Sequence, residues 1–186
     1  FSFALGREIP VFGGSMSDIE ELDGIDADEV EGYLAYREKI RGSNINEQTL
    51  LATDYLNHFN EIVMLLEMVP DMPELLEEAK EWKPMGYQDH LLASTFSDKA
   101  LAADAYDNVP KKYKQPFEQT IGQLDNLIAT AIERIEADME HGDDNLLREN
   151  AGALSKVIQR LMDVAGGIIH GSAKVMDQSE IDNLIG

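Results

Sequence analysis

The sequence predicts an all-helical protein, a helical bundle built around one long antiparallel helical hairpin over residues 111–170. Three observations predict it. Apolar residues recur at steps of three and four along two long stretches, which puts each set on one face of a helix. The link between them, His141-Gly142-Asp143-Asp144-Asn145, is short, and a short link implies antiparallel neighbours. Nothing in the chain alternates convincingly as a buried strand would.

The elements follow in order. Residues 1–15 are apolar and aromatic, with Phe1, Phe3 and Leu5 alternating with small residues as in an extended segment. Gly13-Gly14-Ser15 and then Met16 read like a linker before a start residue. On that reading Phe1, Phe3, Leu5, Ile9, Val11 and Phe12 are the contact residues of a tethered ligand peptide, residues 1–12. On the other reading, residues 1–15 are a native stretch that begins mid-protein. Residues 16–45 form an acidic segment with one helix. Asp26 is its expected cap, and Val30, Tyr33, Leu34 and Ile40 give it an apolar side. Arg41-Gly42-Ser43-Asn44 stops it.

The bundle domain is expected over residues 46–170. Asn46 is placed to cap a helix over residues 46–69, with Leu51, Tyr55, Phe59, Ile62, Leu66 and Val69 as its stripe and Pro70 as its stop. Asp71 and Glu74 read as a capping box for a short helix over residues 73–82, ended by Pro84. Residues 85–96 are ambiguous. Ser97 or Asp98 is placed to cap a helix over residues 99–107, and Pro110 and Pro116 bracket the entry to the hairpin.

The first hairpin helix carries Phe117, Ile121, Leu124, Ile128, Ala131 and Ile135 on one face, with Gln119, Gln123, Asp125, Glu133 and Glu136 expected on the wet side. The second carries Leu147, Leu154, Ile158, Leu161, Ala165 and Ile168. Each would run on the order of 40 Å. Gly142 suits the left-handed end of the first helix, and Asp143, Asp144 or Asn145 suits the cap of the second. Leu127, Ile132, Leu146 and Val157 flank the seam. They call for further helices, from this chain or from a second copy in a homodimer through the hairpin.

Composition narrows the function. Thirty-six acidic residues against fifteen basic ones give a net charge of −21, which repels nucleic acid and anionic membranes. A solvated surface or a basic protein partner fits it. There is no cysteine, so thiol catalysis and disulfides are excluded. No apolar run reaches the roughly 18 residues of a membrane span. No export signal is visible, so a cytoplasmic location is expected.

Sites of chemistry are sparse. Asp54, His58 and Glu61 share a helix face, and Asp138 precedes His141 by three, but no Glu-x-x-His pair of a di-metal bundle is present. A half-buried histidine on a polar face is the plainer reading, and no metal or cofactor is expected. There is no Gly-x-Ser-x-Gly elbow and no phosphate loop, so no catalytic residue is assigned. Gly166, Gly167 and Gly171 suggest close packing or the end of a helix. Met64, Met68, Met72 and Met85 are expected to fill the core, with an adaptable peptide groove as the alternative.

The tail, residues 171–186, carries the clearest motif. Asp177 and Glu180 read as a capping box, and Ile181, Leu184 and Ile185 fall on one side of a short helix. At about nine residues it is too short to be stable alone, so it would fold by docking into a groove or pack as a last turn on its own domain. The segment resembles the Ser-Gln-x-Glu-Ile-Asp-x-Leu-Leu stretch by which the flagellar motor switch protein FliM binds the chemotaxis response regulator CheY. It is also similar to the C-terminal tail of the CheZ phosphatase family. Gln178, Glu180, Ile181, Asp182 and Leu184 match, Ile185 is a conservative fit, and Asp177 replaces the serine.

The resemblance implies that these residues bind a response-regulator receiver domain. It extends to Val157-Ile158-Gln159-Arg160, similar to the Val-Ile-x-Arg stretch that follows the catalytic glutamine of the CheZ family. In that register Gly152 and Lys156 stand where the family has its catalytic aspartate and glutamine, and residues 171–175 make a short linker. The resemblance therefore implies first a non-enzymatic adaptor of chemotaxis or two-component signalling. A CheZ-like phosphatase comes second, and a peptide-binding chaperone or adaptor for residues 1–12 third.

Overall fold

The computed structural model describes residues 22–186. Among them there is no strand. The elements are α1 Val30–Lys39, a 3-10 turn Thr53–Leu56, α2 Asn57–Met68, α3 Leu75–Glu81, α4 Tyr87–Ala93, α5 Lys99–Tyr106, α6 Lys111–His141, α7 Asp144–Ile169 and α8 Gln178–Ile185. The all-α bundle is as the periodicity predicts.

The hairpin of α6 and α7 is its frame. Gly142 ends α6 at φ 81°, and its N–H donates to the Asp138 carbonyl at 3.2 Å. Without a Cβ, glycine takes this left-handed conformation without strain. Asp143 Oδ1 then accepts from the backbone N–H groups of Asn145 at 3.1 Å and Leu146 at 3.0 Å. Asp143→Ala removes both acceptor bonds. It is expected to lower stability by about 1 kcal/mol, read by urea unfolding, with no change in helix content. Pro116 lies inside α6 rather than at its entry, and the Thr120 hydroxyl donates to the Pro116 carbonyl at 2.9 Å.

The hairpin seam is buried except for Ile121, which is partly buried and lines a cavity; the flanking Leu127 and Val157 are buried too, while Leu146 stays 36% exposed. The cover comes from within the chain: α2 and α8 pack on α7, and α3 packs on α6. Tyr55 sits fully buried at the centre, with ring centroids 5.5 Å from Phe59, 5.3 Å from Tyr87 and 6.1 Å from Phe117. One continuous core joins Tyr33 and Ile40 near the N-terminal end to Met176 and Ile181 of the tail. Residues 22–45 and 171–186 therefore rest on the same core as residues 46–170.

The expected helix over residues 46–69 begins only at Asn57. Its whole stripe, Leu51 to Val69, is nonetheless buried. Asn46 does cap, but it caps a single turn: its Oδ1 accepts from the N–H groups of Gln48 at 2.9 Å and Thr49 at 3.0 Å. Leu50 then turns left-handed at φ 64° and the helix cannot propagate. Other partners hold this loop. The Thr49 hydroxyl donates to the Ile169 carbonyl at the end of α7, the Tyr33 hydroxyl donates to the Gln48 carbonyl, and the Ala52 N–H donates to the Tyr87 hydroxyl. The last two take the Gln48 carbonyl and the Ala52 N–H out of a helical ladder, and the first ties the loop to α7.

Three expected acidic caps are used otherwise. Asp26 lies 3.7 Å from Lys111 Nζ, and α1 starts at Val30. Asp71 Oδ1 accepts from Arg148 at 2.6 Å, and α3 starts at Leu75 with no side-chain cap. Asp98 Oδ2 accepts from the Asn44 N–H at 3.1 Å. The methionines also depart from expectation. Met64, Met68, Met72 and Met85 are between 38% and 55% exposed, because Phe59, Ile62, Val63 and Leu66 already fill the inner side of α2.

Candidate functional site: the C-terminal tail and the aromatic cavity

The tail follows α7 through Gly171, where the chain turns at φ 104°. That left-handed conformation favours glycine, and a Cβ there would also push aside the end of the Gln48 side chain, 2.6 Å away. Residues 172–177, without regular secondary structure, then lead to α8. Helix α8 opens on backbone bonds alone: the N–H groups of Glu180 and Ile181 donate to the Asp177 carbonyl at 3.0 and 3.3 Å. The Asp177 carboxylate makes no cap bond, so the expected capping box does not form.

The helix is held on the hairpin. Ile181 is 1% exposed and Met176 5%, and Ile185 packs partly buried against the core. Gln123, expected on the wet face, is buried instead, and its Nε2 donates to the Met176 carbonyl at 2.9 Å. Arg134 donates to the Ile185 carbonyl and so satisfies an open end of α8. A cavity of about 240 Å³ remains between Arg134, Asn150, Leu154 and Leu184.

The six tail residues picked from the sequence therefore split by side. Gln178, Glu180, Asp182 and Leu184 are exposed, with Leu184 at 44%. Gln178 Nε2 donates to Asp182 Oδ1 at 2.9 Å along the outer face. Ile181 and Ile185 face the hairpin. The seated helix thus exposes its polar side and buries Ile181 against the hairpin. The other set, Phe1, Phe3, Leu5, Ile9, Val11 and Phe12, lies outside the described residues.

The remaining sequence candidates do not assemble. Asp54 Oδ1 accepts from Asn57 Nδ2 at 3.2 Å, and Asp138 Oδ2 accepts from Asn150 Nδ2 at 2.8 Å. Among the described residues, no three histidine or carboxylate side chains gather as a metal-binding group. Gly152 faces open space on α7, and Lys156 is exposed. Gly166 and Gly167 lie inside α7, and a Cβ at either would make only ordinary contacts at 3.7 Å. Among the described residues, no helix is long and apolar enough to cross a membrane.

His58 stacks on Trp82 at 4.7 Å, and its ring centroid lies 5.2 Å from that of His90. With Glu61 and Ser94 these rings line a cavity of about 480 Å³. Burial, then the neighbouring His90, lowers the His58 pKa to about 4; burial also lowers that of His90. His58 Nε2 is buried with no hydrogen-bond partner. Two histidines 32 positions apart carry no joint sequence signal; the fold alone brings them together.

The sign of the pH effect follows. His58 binds a proton more weakly folded than unfolded, so stability falls as pH drops from its ordinary 6.5 towards 4. His58→Phe keeps a ring on Trp82 and removes the titration. That variant is expected to flatten the stability profile between pH 6.5 and 4 and to exceed the parent by roughly 1–3 kcal/mol at pH 4.5. Urea unfolding at pH 7, 5.5 and 4.5 reads this, and parallel profiles would contradict it.

Comparison of the chain with protein-family models, with curated proteins and with solved structures gave no match.

Proposed function

We propose that this chain is a non-enzymatic adaptor that binds a response-regulator receiver domain through residues 178–185, in bacterial chemotaxis or two-component signalling. The observation that carries the reading is the form of the tail. Gln178, Glu180, Asp182 and Leu184 lie on the exposed side of a helix that follows a linker without regular secondary structure, with the apolar anchor Ile181 one turn away from Leu184. An amphipathic helix laid into a groove uses such a set of anchors and rim groups. The glycine at position 152 and the exposed lysine at position 156 offer neither a carboxylate nor an amide to position an attacking water, which favours binding over phosphatase chemistry.

Because Ile181 is seated on the hairpin, binding through it proceeds from a released tail. The apparent affinity of the chain is then the intrinsic affinity reduced by the released fraction. Calorimetric titration of the chain with a receiver domain, with and without a phosphoryl mimic, tests the reading. Weak reversible binding that depends on the mimic is expected. Absence of heat in both arms would end it.

A further inference from the structure

Helix α2 divides its apolar residues between two sides. Phe59, Ile62 and Leu66 are fully buried on the inner side. Met64 and Met68 lie four apart on the outer side, which also carries Glu61. The Met72 N–H donates to the Met68 carbonyl at 2.9 Å, so the chain makes one more turn beyond the end of α2. Met64, Met68 and Met72 therefore form one ridge, and they are 55%, 38% and 40% exposed. Eight steps of about 1.5 Å make the ridge roughly 12 Å long, or two turns of a facing helix. Methionine side chains are flexible and polarizable, and surfaces built from them adapt to apolar partners.

The ridge ends at an acidic cavity. Glu61, one turn before Met64, lines the space beside His58 together with Glu78 and Glu81 from the α3 side, and Trp82 and the exposed Met85 complete its wall. Three carboxylates from two helices thus border one opening. None of the three is in an ion pair among the described residues: Lys80 is held by Glu136 at 2.9 Å, and Lys83 is the one cation that lines the cavity. On the opposite side of the ridge, Glu67 accepts from Gln159 and Asp71 from Arg148. Residues 57–82 carry seven acidic residues against one lysine, so the field over this surface is negative.

An apolar ridge two turns long, with carboxylates around a cavity at one end, is complementary to a helix that has an apolar face and a cation near one end. Nucleic acid and anionic lipid carry the wrong charge for it. We propose that Met64, Met68 and Met72 dock the apolar face of a basic amphipathic helix of a partner protein, with a lysine or arginine of that helix in the cavity bordered by Glu61, Glu78 and Glu81. The proposal does not rest on the reading of the C-terminal tail. The tail helix packs on α7, whereas this surface belongs to α2 and α3.

The methionines report on the surface directly. The full chain, labelled with carbon-13 at its methionine methyl groups, is titrated with a leucine–lysine peptide patterned as an amphipathic helix. A scramble of the same composition, with no apolar face, is the second arm. The methyl resonances of Met64, Met68, Met72 and Met85 are expected to shift, while those of Met139, Met162 and Met176, packed on the core, stay in place. The patterned peptide is expected to bind about tenfold more tightly than its scramble. Met64→Gln with Met68→Gln is expected to weaken it about tenfold. Glu78→Gln with Glu81→Gln is expected to weaken it about fivefold and to flatten its salt dependence. All four side chains are exposed, so circular dichroism should be unchanged in both variants. Equal affinity for the two peptides, or unchanged affinity in either double variant, would overturn the proposal. So would resonances that do not move or that move on every methionine. Shifts of the same four resonances on concentrating the chain alone would also overturn it, because a second copy would then occupy the ridge.

Discussion

Ile181→Glu is expected to weaken the proposed receiver binding by a factor of roughly 30 to 1,000 and to lift the tail off the hairpin at the same time. Both effects come from one side chain. Ile181 is buried against the hairpin and, in the proposed binding mode, is also the central apolar anchor. Full burial of such a side chain is worth about 1.5–3 kcal/mol, and a carboxylate in its place adds a desolvation penalty. Two to four kcal/mol is about the stated range in affinity. Amide exchange of α8 reads the release, and calorimetry reads the binding. Leu184→Ala separates the two. Leu184 is half exposed and holds no seat in the core, so this variant should leave α8 protected while weakening the receiver about tenfold. Equal protection and equal affinity in the parent and Ile181→Glu would show that the tail acts elsewhere.

Tyr55→Ala is expected to be the most damaging single change to the fold, at about 3–5 kcal/mol. Its ring is fully buried and meets Phe59, Tyr87, Phe117, His58 and His90. Its hydroxyl also donates to the Met85 carbonyl in the link between α3 and α4. A loss of this size is a large part of the 5–15 kcal/mol that keeps a typical domain folded. Melting should fall by roughly 10–15 °C. Tyr55→Phe keeps the ring contacts and gives up only the hydroxyl bond, a loss of about 1 kcal/mol. If both variants melt alike, the ring cluster is not what holds α2, α4 and α6 together.

The hairpin was legible because its determinants are local. Each stripe repeats within its own helix, and Gly142 and Asp143 act on amides within a few residues of themselves. The caps of the short helices were not legible, because Asp26, Asp71 and Asp98 give their carboxylates to Lys111, Arg148 and the Asn44 amide, partners far away in sequence. Periodicity sees none of these. Residues 46–56 show the same division. Their apolar pattern marked burial correctly, yet Thr49 and Leu50 spend their backbone and side-chain bonds on a loop that closes the end of α7.

The sites divide in the same way. Ile181, Leu184 and Ile185 were legible as one side of a short helix. Which surface that side meets was not, since an apolar face suits its own hairpin and a foreign groove equally. Gln123 and Asp125 read as wet positions because they are polar letters. In the fold the first ties the tail down and the second lies half-buried in a groove floor. The aromatic cavity needed His58, Trp82 and His90 from three separate elements, which no local pattern connects.

The central claim is that the tail is a receiver-binding helix held in reserve on its own hairpin. The most direct test compares two affinities for one phosphoryl-mimicking receiver: that of the intact chain and that of a peptide of residues 172–186. The peptide has no hairpin to leave, so it is predicted to bind about tenfold more tightly than the chain. Equal affinities, or tighter binding by the chain, would contradict the claim, because the seated helix would then bind as it stands.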